Sequence, residues 1–295
     1  MIFSNFLKFV CNLSNENIEF KDATRRITDY INDLSKDSLV EIIRKIGIIP
    51  ESIETGSSTE KLFSKASDCV LAKCFNELGM PSIALSERGN SADIIARSTY
   101  HGYTLVADAK TFRMSRTAKN QKDFKIDTLS NWRGAENDFA IIVAPYFQYP
   151  NTESQIYSSA LDKKVCLLSW EHILFLLLNN KSENENFSLE PIWKAPERIA
   201  RDTRIAYADR MKCLFPYINQ MVCDRISKSL DDFQAELQSC KEGICARAND
   251  EINCLEQQKI QIQHMTRDEA INQLLKITKI DARIKTIEKF VAKLG

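Results

Sequence analysis

The sequence predicts an α/β fold in which a small mixed β-sheet core is flanked by helices, with helix-rich N- and C-terminal regions. Three observations carry this reading. Only 8 Gly and 7 Pro interrupt the 295 residues, which favours long elements, chiefly helices, over a many-turned all-β fold. Apolar residues recur at helical spacing early in the chain and again near its end. Between those regions lie short apolar runs bounded by turn-forming residues, the pattern of strands.

Taken in order, residues 16–79 read as successive helices. Ile27, Tyr30, Ile31 and Leu34 share one helical face; Leu39, Ile42, Ile43 and Ile46 share the next, which Gly47 and Pro50 end. Ser57 and Glu60 have capping-box spacing and open a third helix through Val70, Leu71 and Phe75 to Gly79. After Pro81, residues 92–96 and 104–106 flank STYHGY and predict a β-hairpin. Residues 139–145 and 164–169 predict two more strands, with helices at 152–161 and 170–179. Ile226, Leu230, Phe233 and Leu237 make a late helical stripe that reads as a packing face, and Thr266 opens a further helix with a second capping box. The simplest organisation is one unit over 1–295, with a helical layer at 1–80, the α/β core at 81–180 and a helical region at 181–295.

Composition excludes several classes. The chain is globular rather than disordered, with 44% apolar and 27% charged residues. Lys and Arg balance Asp and Glu at 40 each, so any nucleic-acid surface must be local. Nine cysteines without CxxC pairs indicate neither a disulfide framework nor a zinc site, and read as reduced thiols of a cytoplasmic protein. The N-terminus lacks the basic leader and cleavage site of a signal peptide. The most apolar later run, 165–178, is interrupted by Glu171 and His172 and is too short to span a bilayer. His101, His172 and His264 are too scattered for a histidine-based metal site or triad.

The chemistry concentrates in the hairpin. A turn centred between Tyr100 and His101 sets Asp93 opposite Asp108, with Cβ atoms roughly 5 Å apart, where two carboxylates repel unless a cation lies between them. Asp108 and Lys110 are two apart in VADAK, so on a strand they leave the same face. Two hard carboxylates suit Mg2+, with Mn2+ as a substitute and the Ala109 carbonyl as a further ligand; Lys110 then orients the attacking water or offsets charge at phosphorus. Acid-x-Lys also occurs at Glu19, Asp123 and Asp162, so the triplet alone is better read as a surface ion pair between Asp108 and Lys110. Context separates the Asp108 copy from the others. Glu60 is the next metal-ligand candidate, although its capping box with Ser57 explains it equally well; Glu87 and Asp123 are weaker ones.

Directly after the site runs KTFRMSRTAKNQKDFK, where Lys110, Arg113, Arg116, Lys119, Lys122 and Lys125 recur every third residue. On a helix each such step turns about 300°, so the charges surround the axis and cannot pack into a core. Such a segment suits a DNA groove, with phosphates on both sides and Asn120 and Gln121 available to base edges; the alternative is a solvated loop. Its candidate DNA contacts are Arg113, Ser115, Arg116, Thr117, Ala118, Lys119, Asn120, Gln121, Lys122, Asp123 and Lys125. The aromatics of PYFQYP read first as a buried loop corner.

Through STEKLFSKA, ERGNSADIIA, LVADAKTFR, SRTAKNQKDFK, APYFQYP and SWEH, the chain resembles the HindIII-like type II restriction endonucleases of the PD-(D/E)xK nuclease superfamily. The resemblance runs along most of the chain and is densest from 57 to 172. It implies a homodimer that binds palindromic double-stranded DNA, AAGCTT, and cuts each strand with Mg2+ to leave a 5′ overhang. Carried across, the nuclease motif falls on Asp93, Asp108 and Lys110, and SRTAKNQKDFK is the recognition element. The residue before the first Asp is Ala92 where the motif usually has Pro. A cognate methyltransferase is expected in the same cell, without direct contact, and the C-terminal helices are expected to dimerise or clamp DNA. Two other readings predict different behaviour. A repair or junction nuclease of the same fold would nick by structure, and a non-catalytic DNA-binding protein would bind in a salt-sensitive way without cleavage.

Overall fold

A computed structural model of the chain describes residues 2–16, 18–85, 92–116 and 121–278, together with 284, 285 and 288. Four helices form the N-terminal layer: α1 (Ile2–Asn15), α2 (Phe20–Asn32), α3 (Lys36–Ile46) and α4 (Ser58–Glu77). The apolar periodicity explains which faces are buried. α2 buries Ala23, Thr24, Ile27 and Ile31; α3 buries Leu39, Ile42, Ile43 and Ile46, and Ser35 caps it by accepting from Ser38 N–H. The sequence reading set no helix at the extreme N-terminus, yet Phe3, Phe6, Val10 and Leu13 of α1 follow helical spacing and are buried.

α4 is the central helix. It packs against α1, α2 and α3 and also lies on the first three strands, which is why it is buried almost all round rather than along one stripe. Ser57 caps it through Glu60 N–H at 3.1 Å, but the Glu60 carboxylate accepts from Gly56 N–H instead of closing the box on Ser57.

The five-stranded sheet has order β1 (Ser82–Ala84), β2 (Ile94–Arg97), β3 (Thr104–Ala109), β4 (Phe139–Ala144) and β5 (Val165–Ser169). Strands β1, β2 and β3 pair antiparallel, whereas β3, β4 and β5 pair parallel, so the sheet is mixed. Ile94 faces Ala107 and Ile95 faces Val106, the register that the hairpin reading requires. Among the described residues, β1 is the strand that the sequence does not predict; three residues with an exposed Ile83 give almost no periodic signal. β4 and β5 are buried at every position, as parallel strands covered on both faces must be. Helices α5 (Gln121–Phe124), α6 (Ile126–Arg133) and α7 (Gln155–Lys163) lie in the crossovers, with α6 against β3, β4 and β5 and α7 against β5.

After β5, α8 (Trp170–Leu178) opens with a capping box in which Ser169 and His172 exchange hydrogen bonds. His172 is fully buried, and burial pulls its pKa down to about 4; its Nε2 donates to Asn219 at 2.7 Å, so it stays neutral and structural. Then follow α9 (Glu190–Trp193), α10 (Ala195–Arg201), α11 (Arg210–Ile226), α12 (Leu230–Gln263) and α13 (Arg267–Thr278). The late stripe is not continuous: Ser227 takes a left-handed φ of 56° and separates Ile226 on α11 from Phe233 and Leu237 on α12. Thr266 and Glu269 form the expected capping box at α13. Residues Met1–Ile244 make one compact unit and Cys245–Gly295 a second. Among the described residues, no helix is long and apolar enough to cross a membrane.

Candidate active site

The site sits at the carboxyl end of β3, where open parallel segments leave a crevice for ligands. Asp108 is the last-but-one residue of β3, and Asp93 directly precedes β2, its carbonyl accepting from Leu85 N–H at 2.8 Å. The paired register ends at Ile94 and Ala107, one step short of these two residues, and their carboxylates lie close together. α4 adds a third. Carboxylate oxygens of Asp68, Asp93 and Asp108 all lie within 4.8 Å of one another.

Burial makes this cluster costly. Asp68 and Asp108 are 6% and 4% exposed, so both lose water that would stabilise their charge. Burial, then the Asp93 charge, pushes the Asp68 carboxyl up to about 8. Burial likewise raises Asp108, against the lowering effect of Lys110. Two lysines partly balance the three acids. Lys65 Nζ donates to Asp93 at 2.9 Å and to Asp68 at 3.2 Å, and Lys110 Nζ pairs with Asp108. Burial alone would lower the Lys65 pKa, but Asp68 and Asp93 outweigh it and the pKa is raised.

The residue types fit a hard divalent cation. Three carboxylates converge on a small volume, two of them, Asp68 and Asp108, are buried where repulsion is weakly screened, and oxygen is the donor that Mg2+ and Mn2+ prefer. Asp68 is further held by the Ala109 N–H at 3.4 Å, which ties α4 to the end of β3. The Lys110 backbone is fixed on both sides: its N–H donates to Val143 C=O at 2.7 Å, and its C=O accepts from Trp170 Nε1 at 3.1 Å. Gly47 lets that indole approach, since a Cβ there would lie 2.8 Å from the Trp170 ring.

A cleft of about 660 Å³ opens on the cluster. Its walls include Asp68, Asp93, Asp108 and Lys110 together with Arg116, Lys122, Asp123 and Lys125. The basic segment therefore lies beside the acids, but it is not one helix. Phe112 pairs with backbone on either side of Ile48, its N–H reaching Gly47 C=O and its C=O accepting from Ile49 N–H, and so draws the chain out extended. A turn follows at Met114 and Ser115, and the next helix among the described residues is the four-residue α5. Arg116 pairs with Asp123 of α5. Thr117, Ala118, Lys119 and Asn120 lie outside the described residues, as does Glu87, and the Gln121 side chain is likewise not described.

Glu60 stands apart from the acidic cluster. Its carboxylate accepts from Arg113 Nε at 3.1 Å and from the Arg113 guanidinium at 2.7 Å, in a second cavity beside the cleft. Ser115 anchors the same segment by donating its N–H and hydroxyl to Glu51 at 3.0 and 2.9 Å. The carboxylate that α4 brings to Asp93 and Asp108 is that of Asp68, not the Glu60 considered from the sequence. The signal was present: Lys65 and Asp68, at i,i+3, are charged residues within a helix that is mostly apolar from Leu62 to Phe75.

A pH dependence follows. Because the Asp68 pKa in the metal-free fold lies above its unfolded value, its stabilising contribution is complete at acid pH and is lost as pH rises through about 8; Asp108 acts in the same direction. A divalent cation favours the ionised carboxylates. The gap between melting temperatures in excess Mg2+ and in EDTA should therefore widen from pH 5 to pH 9. Parallel melting temperatures across that range would show that the cluster holds no cation.

The sequence model of the family described as HindIII restriction endonuclease matches residues 4–291 of the chain. The chain is 42% identical over 285 residues to the type II restriction enzyme HindIII of Haemophilus influenzae, an alignment that covers 97% of this chain and 93% of that protein.

Proposed function

Because this chain belongs to the HindIII restriction endonuclease family, whose members are site-specific deoxyribonucleases, we propose that it hydrolyses phosphodiester bonds of double-stranded DNA at the cluster of Asp68, Asp93, Asp108 and Lys110. One observation carries the assignment of the site: three carboxylates and a lysine converge at the carboxyl end of β3, in a cleft whose other wall is basic.

Asp68, Asp93 and Asp108 would supply the oxygen ligands for Mg2+, with Mn2+ as a substitute and the Ala109 carbonyl as a further candidate. A divalent cation held there would supply Lewis-acid chemistry, polarising the scissile phosphate and acidifying the attacking water. The Lys110 ammonium, held against Asp108 on a backbone fixed by Val143 and Trp170, orients that water and offsets the charge that grows at phosphorus. Arg116, Lys122 and Lys125 line the approach and would meet the phosphate backbone; Arg113 and Ser115, tied to Glu60 and Glu51, set the course of the segment that reads bases.

The target we propose is the palindrome AAGCTT, cut to a 5′ overhang by a homodimer with one such cleft per subunit. Residues 1–80, 81–180 and 181–295 are then the helical layer, catalytic core and dimerising or DNA-clamping region of one endonuclease. The enzyme would work in the cytoplasm beside a methyltransferase that protects the same sequence without touching it. Digesting bacteriophage DNA with the purified protein, in Mg2+ or in EDTA, and sequencing the fragment ends tests this. Mg2+-dependent fragments beginning at AAGCTT are expected. Structure-selective nicks would favour a repair nuclease, and binding without cleavage a non-catalytic protein.

A further inference from the structure

The cluster described above contains a charge that the hydrolytic reading does not use. Lys65 is 6% exposed, and its ammonium donates to Asp93 Oδ1 at 2.9 Å and Asp68 Oδ2 at 3.2 Å. Those are two of the three carboxylates that would ligate the divalent cation. Lys110 occupies the third, Asp108. A cation with oxygen ligands at about 2.1 Å needs lone pairs that the Lys65 ammonium engages, and the two positive charges repel at short range in a weakly screened site.

We infer that Lys65 is a built-in counter-ion that competes with the divalent cation for Asp68 and Asp93, and so keeps cation affinity low in the DNA-free enzyme. This rests on the hydrolytic reading of the cluster. The position of Lys65 on α4 supports it. Lys61, Ser64, Lys65 and Asp68 all line the cleft at helical spacing, so one helix face presents the competing cation and the ligand together. The arrangement has two consequences. Without a cation, the buried acids are kept from repelling one another. With DNA in the cleft, the substrate phosphate adds negative charge and ligand oxygens, and the balance moves from the ammonium to the divalent ion. Lys65 is thus a positioning residue that times cation entry to substrate arrival.

The test is calorimetric titration of Mn2+, without DNA, into the wild-type protein and the Lys65→Met, Lys65→Arg and Asp108→Asn variants. Lys65→Met should bind Mn2+ ~10-fold more tightly or better, since a neutral chain that matches the lysine stem but ends short of its ammonium removes the competitor. Lys65→Arg should stay near wild type, and Asp108→Asn should bind more weakly. Unchanged or weaker binding by Lys65→Met, with Asp108→Asn weakened as expected, would overturn the inference and leave the cation site standing. Full Mn2+ binding by Asp108→Asn would overturn the site and the inference together. A second measurement needs no neutral variant. In 15N-lysine spectra of the wild-type protein, the ammonium signal missing from Lys65→Arg should shift and lose its protection from exchange as Mg2+ is added. A signal that is indifferent to saturating Mg2+ would equally refute the competition.

Discussion

Replacing Asp108 with Asn is expected to lower DNA cleavage by on the order of 1,000-fold or more, while duplex binding is kept or strengthened. Asp108 occupies the point where every element of the site meets. It lies on β3 beside β4, its carboxylate pairs with Lys110, and its oxygens complete the cluster with Asp68 and Asp93. The amide is nearly isosteric but has no charge, so it removes an ion-binding oxygen and the partner that holds the Lys110 ammonium. Binding should survive because the basic cleft wall is untouched, and less negative charge faces the DNA backbone. Cleavage assays and gel-shift titrations on the same preparation separate the two effects. Cleavage at the wild-type rate would place the chemistry elsewhere.

How far the sequence discloses this site depends on the range of the interactions that build it. The hairpin is local, and its turn and alternation put Asp93 beside Asp108 with the register observed. The Asp-x-Lys spacing falls at the end of one strand and needs only the two-residue period carried one residue past it. The apolar stripes of α2 and α3 were legible for the same reason. Contributions that depend on distant packing were not. Asp68 reaches the cluster because α4 lies across β1, β2 and β3, a contact with no local periodic signature. The basic segment presents a charge pattern that a helix would accommodate, but the Phe112 backbone pairs with Gly47 and Ile49, some sixty residues upstream, and overrides it. Glu60 shows the converse: the capping signal was real, and its carboxylate is committed to Gly56 and Arg113.

Asp68 and Glu60 therefore offer the sharpest comparison. Asp68→Asn should reduce cleavage on the order of 10²–10³-fold and weaken Mn2+ binding, because it removes one of the three converging carboxylates. It should not unfold the protein. Burial already holds the Asp68 carboxyl up to about 8, so above that pH the neutral amide removes an unfavourable buried charge, and the metal-free variant should melt at or above the wild-type temperature. Glu60→Gln should behave differently. Its side chain lies with Arg113 outside the cluster, so Mn2+ affinity should be retained, and the change should fall on DNA affinity and sequence preference through a loosened recognition segment. Kinetics separate the two: Asp68→Asn lowers kcat with little effect on KM, and Glu60→Gln raises KM. Loss of Mn2+ binding in Glu60→Gln, with Asp68→Asn unaffected, would make Glu60 the third ligand and require the helix that carries both residues to shift when the cation binds.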